Sequence, residues 1–208
     1  MLSVQLEADL AQAVSAFLPL VNAAADPALL HAPAFALKHY THQKPKDAAA
    51  LHLYALICER LGLVDEASAS LEHAANLLEE EFEASESTEI EEAYCIALSN
   101  LGRVRLSAGQ YALALDAYTN VWGLVGSLEG SEGLTGRLKI QSRLGQALAY
   151  SWLEDVDKSL EGFQAALDIA SSEAIKSDVA VLLARTLWGL GGEEARETAK
   201  NHLLEWSV

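Results

Sequence analysis

The residues able to do chemistry are scattered along the chain and do not converge on a reaction. His39 and His42 stand three apart and can share a helix face, but no HExxH motif or Cys pair accompanies them, so the spacing predicts a solvated pair and no zinc site. Glu79 and Glu83 could serve acid–base work, yet they sit in the run EEEFEASESTEIEE (79–92), whose charge density is that of a solvated helix surface. The same run could dock a basic partner, and Thr88 within it could accept a phosphate. The segment GSLEGSEGLTG (126–136) is rich in glycine but has no Gly-Lys-Ser/Thr ending, which excludes a P-loop and predicts a mobile connection. No Gly-x-Ser-x-Gly nucleophile elbow occurs. The expectation is a protein that is not an enzyme, with no catalytic residues, no metal and no cofactor.

The bulk properties agree with a binding role. The chain has 208 residues, a 51% apolar fraction, four prolines and a formal charge of −16, which fits a helical globular protein and disfavours direct contact with nucleic acid. Cys58 and Cys95 form no CxxC pair and no Asn-x-Ser/Thr acceptor is present, so a reducing intracellular setting is expected. The N-terminus carries Glu7 and Asp9 where a leader would be basic, and the apolar stretch near Phe17 is broken by Pro19 and Asn22. It is shorter than the ~20 residues that span a bilayer, so a soluble protein is expected, with no membrane contact.

The elements that must position any binding residue show themselves in a spaced pattern. ALHLYALICERLGLVDEASASLEHAA and LSNLGRVRLSAGQYALALDAYTNV align without a gap when Ala55 is set against Gly102. Tyr54 then meets Leu101, Gly62 meets Gly109, Ala67 meets Ala114, Leu71 meets Tyr118 and Ala74 meets Val121. A third copy centres on Ala147, with Gln146 in an apolar position, and a fourth on Ala184, giving spacings of 47, 45 and 37 residues. An alternative frame on Leu144-Gly145 loses the partner helix by two residues.

The pattern predicts hairpins of two antiparallel helices with small residues at the contact. The pairs are Asp47–Arg60 with Val64–Glu83, Ser87–Ser107 with Gln110–Gly126, a third around Ala147, and Asp178–Gly189 with Glu193–Trp206. Ahead of them, residues 1–46 are expected to form an N-terminal helical pair, as a cap or partial repeat. Its first helix would cover Ser3–Ala25; its second would start at Asp26-Pro27, suffer a disturbance at Pro33 and end near Tyr40, followed by the connection THQKPK.

These segments resemble the tetratricopeptide (TPR) repeat, which has about 34 residues in its simple form. The resemblance implies an all-α fold, a right-handed α-α superhelix of TPR-like helical hairpins, with 47–208 as four hairpins. It also implies that partner-facing positions fall on His52, Glu59, Asn100, Arg103, Leu148, Arg185 and Trp188. TPR co-chaperones that hold heat-shock protein tails use a set of Lys, Asn and Arg, of which only Asn100 is matched; His52, Leu56, Gln141 and Gly145 occupy other places of that set. An adaptor binding an acidic peptide tail through Arg103 and Arg185 is the alternative function.

From about Asp47 onward the chain is also similar to the C-terminal part of fungal superkiller-complex TPR subunits. That likeness implies a cytoplasmic RNA-decay scaffold, with the nucleus as the second setting, whose protein partners are an RNA helicase and WD-repeat propellers. The chain would then be a segment of a longer solenoid, with Leu203 and Trp206 at one end and Leu6, Leu10 and Phe17 at the other partly exposed, and with weak self-association.

Overall fold

The structure, a computed structural model, describes residues 26–85, 87–126, 132–190, 197–198 and 200. The regular elements that it bounds are helical: a 3-10 turn Pro27–Leu30, then α1 (His31–Gln43), α2 (Ala48–Arg60), α3 (Val64–Ser85), α4 (Thr88–Ser107), α5 (Tyr111–Val125), α6 (Glu132–Trp152), α7 (Val156–Ile169) and α8 (Glu173–Leu190). The chain divides into two compact units, Met1–Val104 and Arg105–Val208.

Three turns between helices repeat one geometry. Gly62 and Gly109 both have φ +74°, and Glu154 takes φ 63° at the equivalent place. Each lies seven residues beyond a buried small residue, Ala55, Gly102 or Ala147. The residue after each donates its N–H five residues back: Leu63 to Cys58 at 2.8 Å, Gln110 to Arg105 at 2.9 Å, Asp155 to Tyr150 at 3.0 Å. This left-handed helix ending satisfies carbonyls that the helix leaves orphaned. It also establishes the Ala147 register of the third repeat, because the alternative frame would place the left-handed residue elsewhere.

Each of the three described second helices buries one stripe. On α3 it is Ala67, Leu71, Ala74 and Leu78; on α5, Ala114, Tyr118, Val121 and Val125; on α7 and its cap, Ser159, Phe163, Ala166 and Ala170. The three-four spacing keeps these side chains on one helix face, and each large apolar one contributes about 1.5–3 kcal/mol on burial. In the first unit the core joins α1, α2 and α3 with Leu101 and Val104 of α4. In the second, Phe163, Ala147, Leu183 and Leu187 centre a core shared by α6, α7 and α8. Close approach needs small residues here: a Cβ on Gly162 would lie 2.9 Å from that of Ala147.

Several expectations are corrected in detail. α1 runs to Gln43, not Tyr40, and Pro33 sits in its first turn, where the missing N–H has no helical partner to lose. The polar connection therefore shortens to Lys44–Lys46, and Asp47 caps α2 by accepting from Ala50 N at 2.9 Å. The acidic run, by contrast, is mostly helical as its charge density leads one to expect, with α3 continuing to Ser85 and α4 beginning at Thr88. Residues 132–136, expected within a mobile loop, are the first turn of α6; packing of Leu138 and Ile140 overrides the glycine propensity. α8 starts at Glu173, five residues earlier than expected. The expected helix over Ser3–Ala25 and the tail with Leu203 and Trp206 lie outside the described residues, as does most of the fourth hairpin's second helix.

Gln146 occupies the place of Tyr54 and Leu101 and is buried, as they are. Its amide donates to Thr119 Oγ1 at 3.1 Å, and its carbonyl accepts from Arg143 Nη1 at 3.1 Å. Burial of this polar side chain is thus compensated.

Candidate partner-binding faces

In the first unit four of the expected residues come together. α2 presents His52 and Glu59 two turns apart, and α4 presents Asn100 and Arg103 one turn apart, so each pair shares a helix face. Arg103 pairs with Glu59 and donates a second hydrogen bond to Asn100 Oδ1 at 3.1 Å. Asn100 Nδ2 lies 2.9 Å from His52 Nε2. Because the Asn100 oxygen already accepts from Arg103, its amide nitrogen faces the imidazole, and Nε2 must be bare to accept. His52 is therefore a neutral ring. Burial, and secondarily the Arg103 charge, push its pKa below the ordinary 6.5.

Arg103 is thus engaged by Glu59 and Asn100 and does not stand as an isolated cation. The face reads as a bridge between α2 and α4, with Arg103 itself exposed.

In the second unit Leu148, Ser151 and Trp152 of α6 and Leu182, Arg185, Thr186, Gly189 and Leu190 of α8 line an open groove of about 360 Å³. Arg185 is exposed and has no ion-pair or hydrogen-bond partner among the described residues. Trp152 is 63% exposed and stacks on Tyr111, ring centres 5.2 Å apart and planes within 4°. Trp188, 61% exposed, is on the same helix as Arg185 and close to one turn beyond it. An apolar trough with one cation suits an extended segment carrying an apolar side chain beside an acidic one.

The sequence pattern gives no weight to Trp152 or Ser151, since they lie two and three residues before the turn, where other repeats carry unrelated types. The signal that could have found Trp152 is the large aromatic itself at a helix end held by serine in α4 and arginine in α2. Arg143 likewise replaces the Leu51 and Leu98 position and lays its guanidinium 3.7 Å over the Trp122 ring, which explains its tolerance there.

Other candidate chemistry is occupied structurally. His39 meets Gln43 at 3.0 Å, and the described residues hold no cluster of three or more His, Cys, Asp or Glu that could take a metal. Cys58 and Cys95 are free and buried; burial pushes both thiols up, Cys95 to about 12, so neither is a nucleophile at neutral pH. Glu66 binds Tyr54 and, at 3.0 Å, Lys38, tying α1, α2 and α3. No described helix is long and apolar enough to cross a membrane.

No protein-family model matches the chain. Superkiller protein 3 of Schizosaccharomyces pombe is 32% identical over 179 residues, and that of Saccharomyces cerevisiae 25% over 171, each covering 82% of this chain. The chain spans about 12% of the length of these curated relatives. Among solved structures, a double mutant of MamA RS-1 aligns with a TM-score of 0.65 at 16% identity, over 95% of this chain and 92% of that one. A kinesin light chain of Podosopora anserina with nearly identical TPR-like repeats aligns at 0.64 and 17% identity, covering 86% and 87%. The repeated turn, the shared buried stripe and these likenesses agree: the chain is a TPR-like repeat protein similar to a segment of fungal superkiller protein 3.

Proposed function

We propose that the chain is a non-enzymatic protein–protein interaction scaffold, one stretch of a larger TPR subunit in a cytoplasmic RNA-decay assembly of the superkiller type. The observation that carries this reading is the 32% identity running over 82% of the chain. Its partners are then proteins, an RNA helicase and WD-repeat propellers, engaged through side chains on the first helices: His52, Glu59, Asn100 and Arg103 in one unit, Arg185 and Trp188 in the other. Reconstitution with purified helicase and propeller subunits from the same organism tests it. Co-elution that depends on Arg185 and Trp188 supports the reading, and no association with either subunit removes it.

A second reading, an adaptor that holds an acidic peptide tail, draws support from Arg185, which lines an apolar groove without a partner among the described residues. Titration with peptides ending in two or more acidic residues decides it. Binding unchanged by Arg185→Ala removes its support.

A further inference from the structure

α6 is a basic helix in an acidic chain. Beyond Glu132 it carries Arg137, Lys139 and Arg143 and no Asp or Glu as far as Trp152, while the whole chain has a formal charge of −16. None of the three cations forms an ion pair with a described residue, and Arg137 donates its Nε–H to Gly133 O of its own helix at 3.2 Å. Thr135, Lys139 and Arg143 follow at intervals of four and so run along one helix face. Arg137 stands about 120° around the helix from Arg143.

Arg143, half-buried, is held in place. Its guanidinium lies 3.7 Å over the Trp122 ring of α5, and Nη1 donates to Gln146 Oε1 at 3.1 Å. Gln146 in turn donates to Thr119 Oγ1 at 3.1 Å, and Thr119 to Leu115 O at 2.8 Å. Among the described residues Nη2 has no hydrogen-bond partner, and neither have the buried Nε and the buried Thr135 hydroxyl two turns earlier on the same face. The same register places hold Ala75 with Leu98 and Leu167 with Ala180 elsewhere in the chain, apolar pairs that leave no donor over. A half-buried cation without a counter-charge costs stability, and a fixed one loses little side-chain entropy when it is bound.

We propose that this face of α6 docks an acidic segment of a partner protein, with Arg143 and Lys139 receiving its carboxylates and Trp122 backing the guanidinium. Charge and spacing select the occupant. Lys139 and Arg143 are one helical turn apart, about 6 Å along the axis, close to the ~6.7 Å between alternate residues of an extended strand. The field of an acidic chain repels a polyanion such as nucleic acid, whereas a few carboxylates can pair locally with these two cations. The face is separate from the groove below Arg185, because Leu148 and Trp152 of that groove lie across α6 from it. The proposal therefore stands independently of the scaffold reading.

A fluorescein-labelled peptide of alternating Glu and Ser, titrated into the full chain and followed by anisotropy, tests this. Binding should weaken roughly tenfold or more in Arg143→Leu and in Lys139→Gln and should weaken as salt rises. It should stay within about twofold in Arg137→Gln, which removes the same charge away from the face. Arg143→Leu installs the residue found at Leu51 and Leu98, so its melting temperature should equal or exceed that of the wild type. No binding by the wild type, an equal loss in Arg137→Gln, or a lowered melting temperature in Arg143→Leu with binding kept overturns the proposal. Tighter binding of a single-stranded oligouridylate than of the peptide overturns it in favour of nucleic acid. Self-association that is lost in Arg143→Leu overturns it in favour of the acidic run 79–92 of a second copy.

Discussion

Gly145 of α6 lies against the ring of Tyr118 of α5 so closely that a Cβ there would sit 2.2 Å from a ring carbon. Tyr118 is buried and belongs to the buried stripe of α5, so its ring has little room to retreat. Gly145→Ala should therefore cost about 2 kcal/mol or more in chemical denaturation. Tyr118→Leu opens space at the same point, so the double variant should lose less than the sum of the two single changes. Strict additivity would mean that the two residues do not press on one another.

Glu154 is the one non-glycine among the three left-handed turn residues, and its Cβ crowds the following carbonyl. Glu154→Gly should stabilise the chain by roughly 0.5–1 kcal/mol, whereas Gly109→Ala should destabilise it by a similar amount. Melting temperatures of the two variants check the opposite signs.

The His52–Asn100–Arg103–Glu59 chain makes a pH prediction. The folded state holds the His52 pKa below 6.5, so it resists binding a proton that the unfolded chain accepts. The stability this contributes is present above pH 6.5 and is lost as pH falls from there through the folded pKa. Protonation would also turn Nε2 into a donor facing the Asn100 amide. Denaturation of the wild type between pH ~7 and ~5.5 should show this loss, and His52→Gln, which can accept from Asn100 without titrating, should show less. Identical pH profiles would contradict the assignment of the neutral ring.

The repeat register was readable from the sequence because it rests on size: Ala55, Gly102 and Ala147 must be small for helices to touch, and Leu71, Tyr118 and Phe163 must fill the space beside them. Turn position followed for Gly62 and Gly109 because glycine advertises a left-handed backbone, while Glu154 carries no such mark and its strain appears only in the fold. Helix ends at Gln43 and Glu132 were missed because packing extends helices past polar or glycine-rich stretches. Partner-facing residues were readable as positions only. That Arg103 is tied to Glu59 and Arg185 stands over an apolar groove depends on which side chains of distant segments meet, which spacing along one helix does not encode.

The account's central claim is that this TPR-like chain binds a protein partner through its first-helix faces. The direct measurement is a binding isotherm with the purified helicase and propeller subunits, comparing wild type with a chain carrying Arg185→Glu and Trp188→Ala and of unchanged melting temperature. The account predicts saturable binding weakened roughly tenfold or more in the variant, about 1.4 kcal/mol. Binding of equal strength by both chains, or by neither, would contradict it.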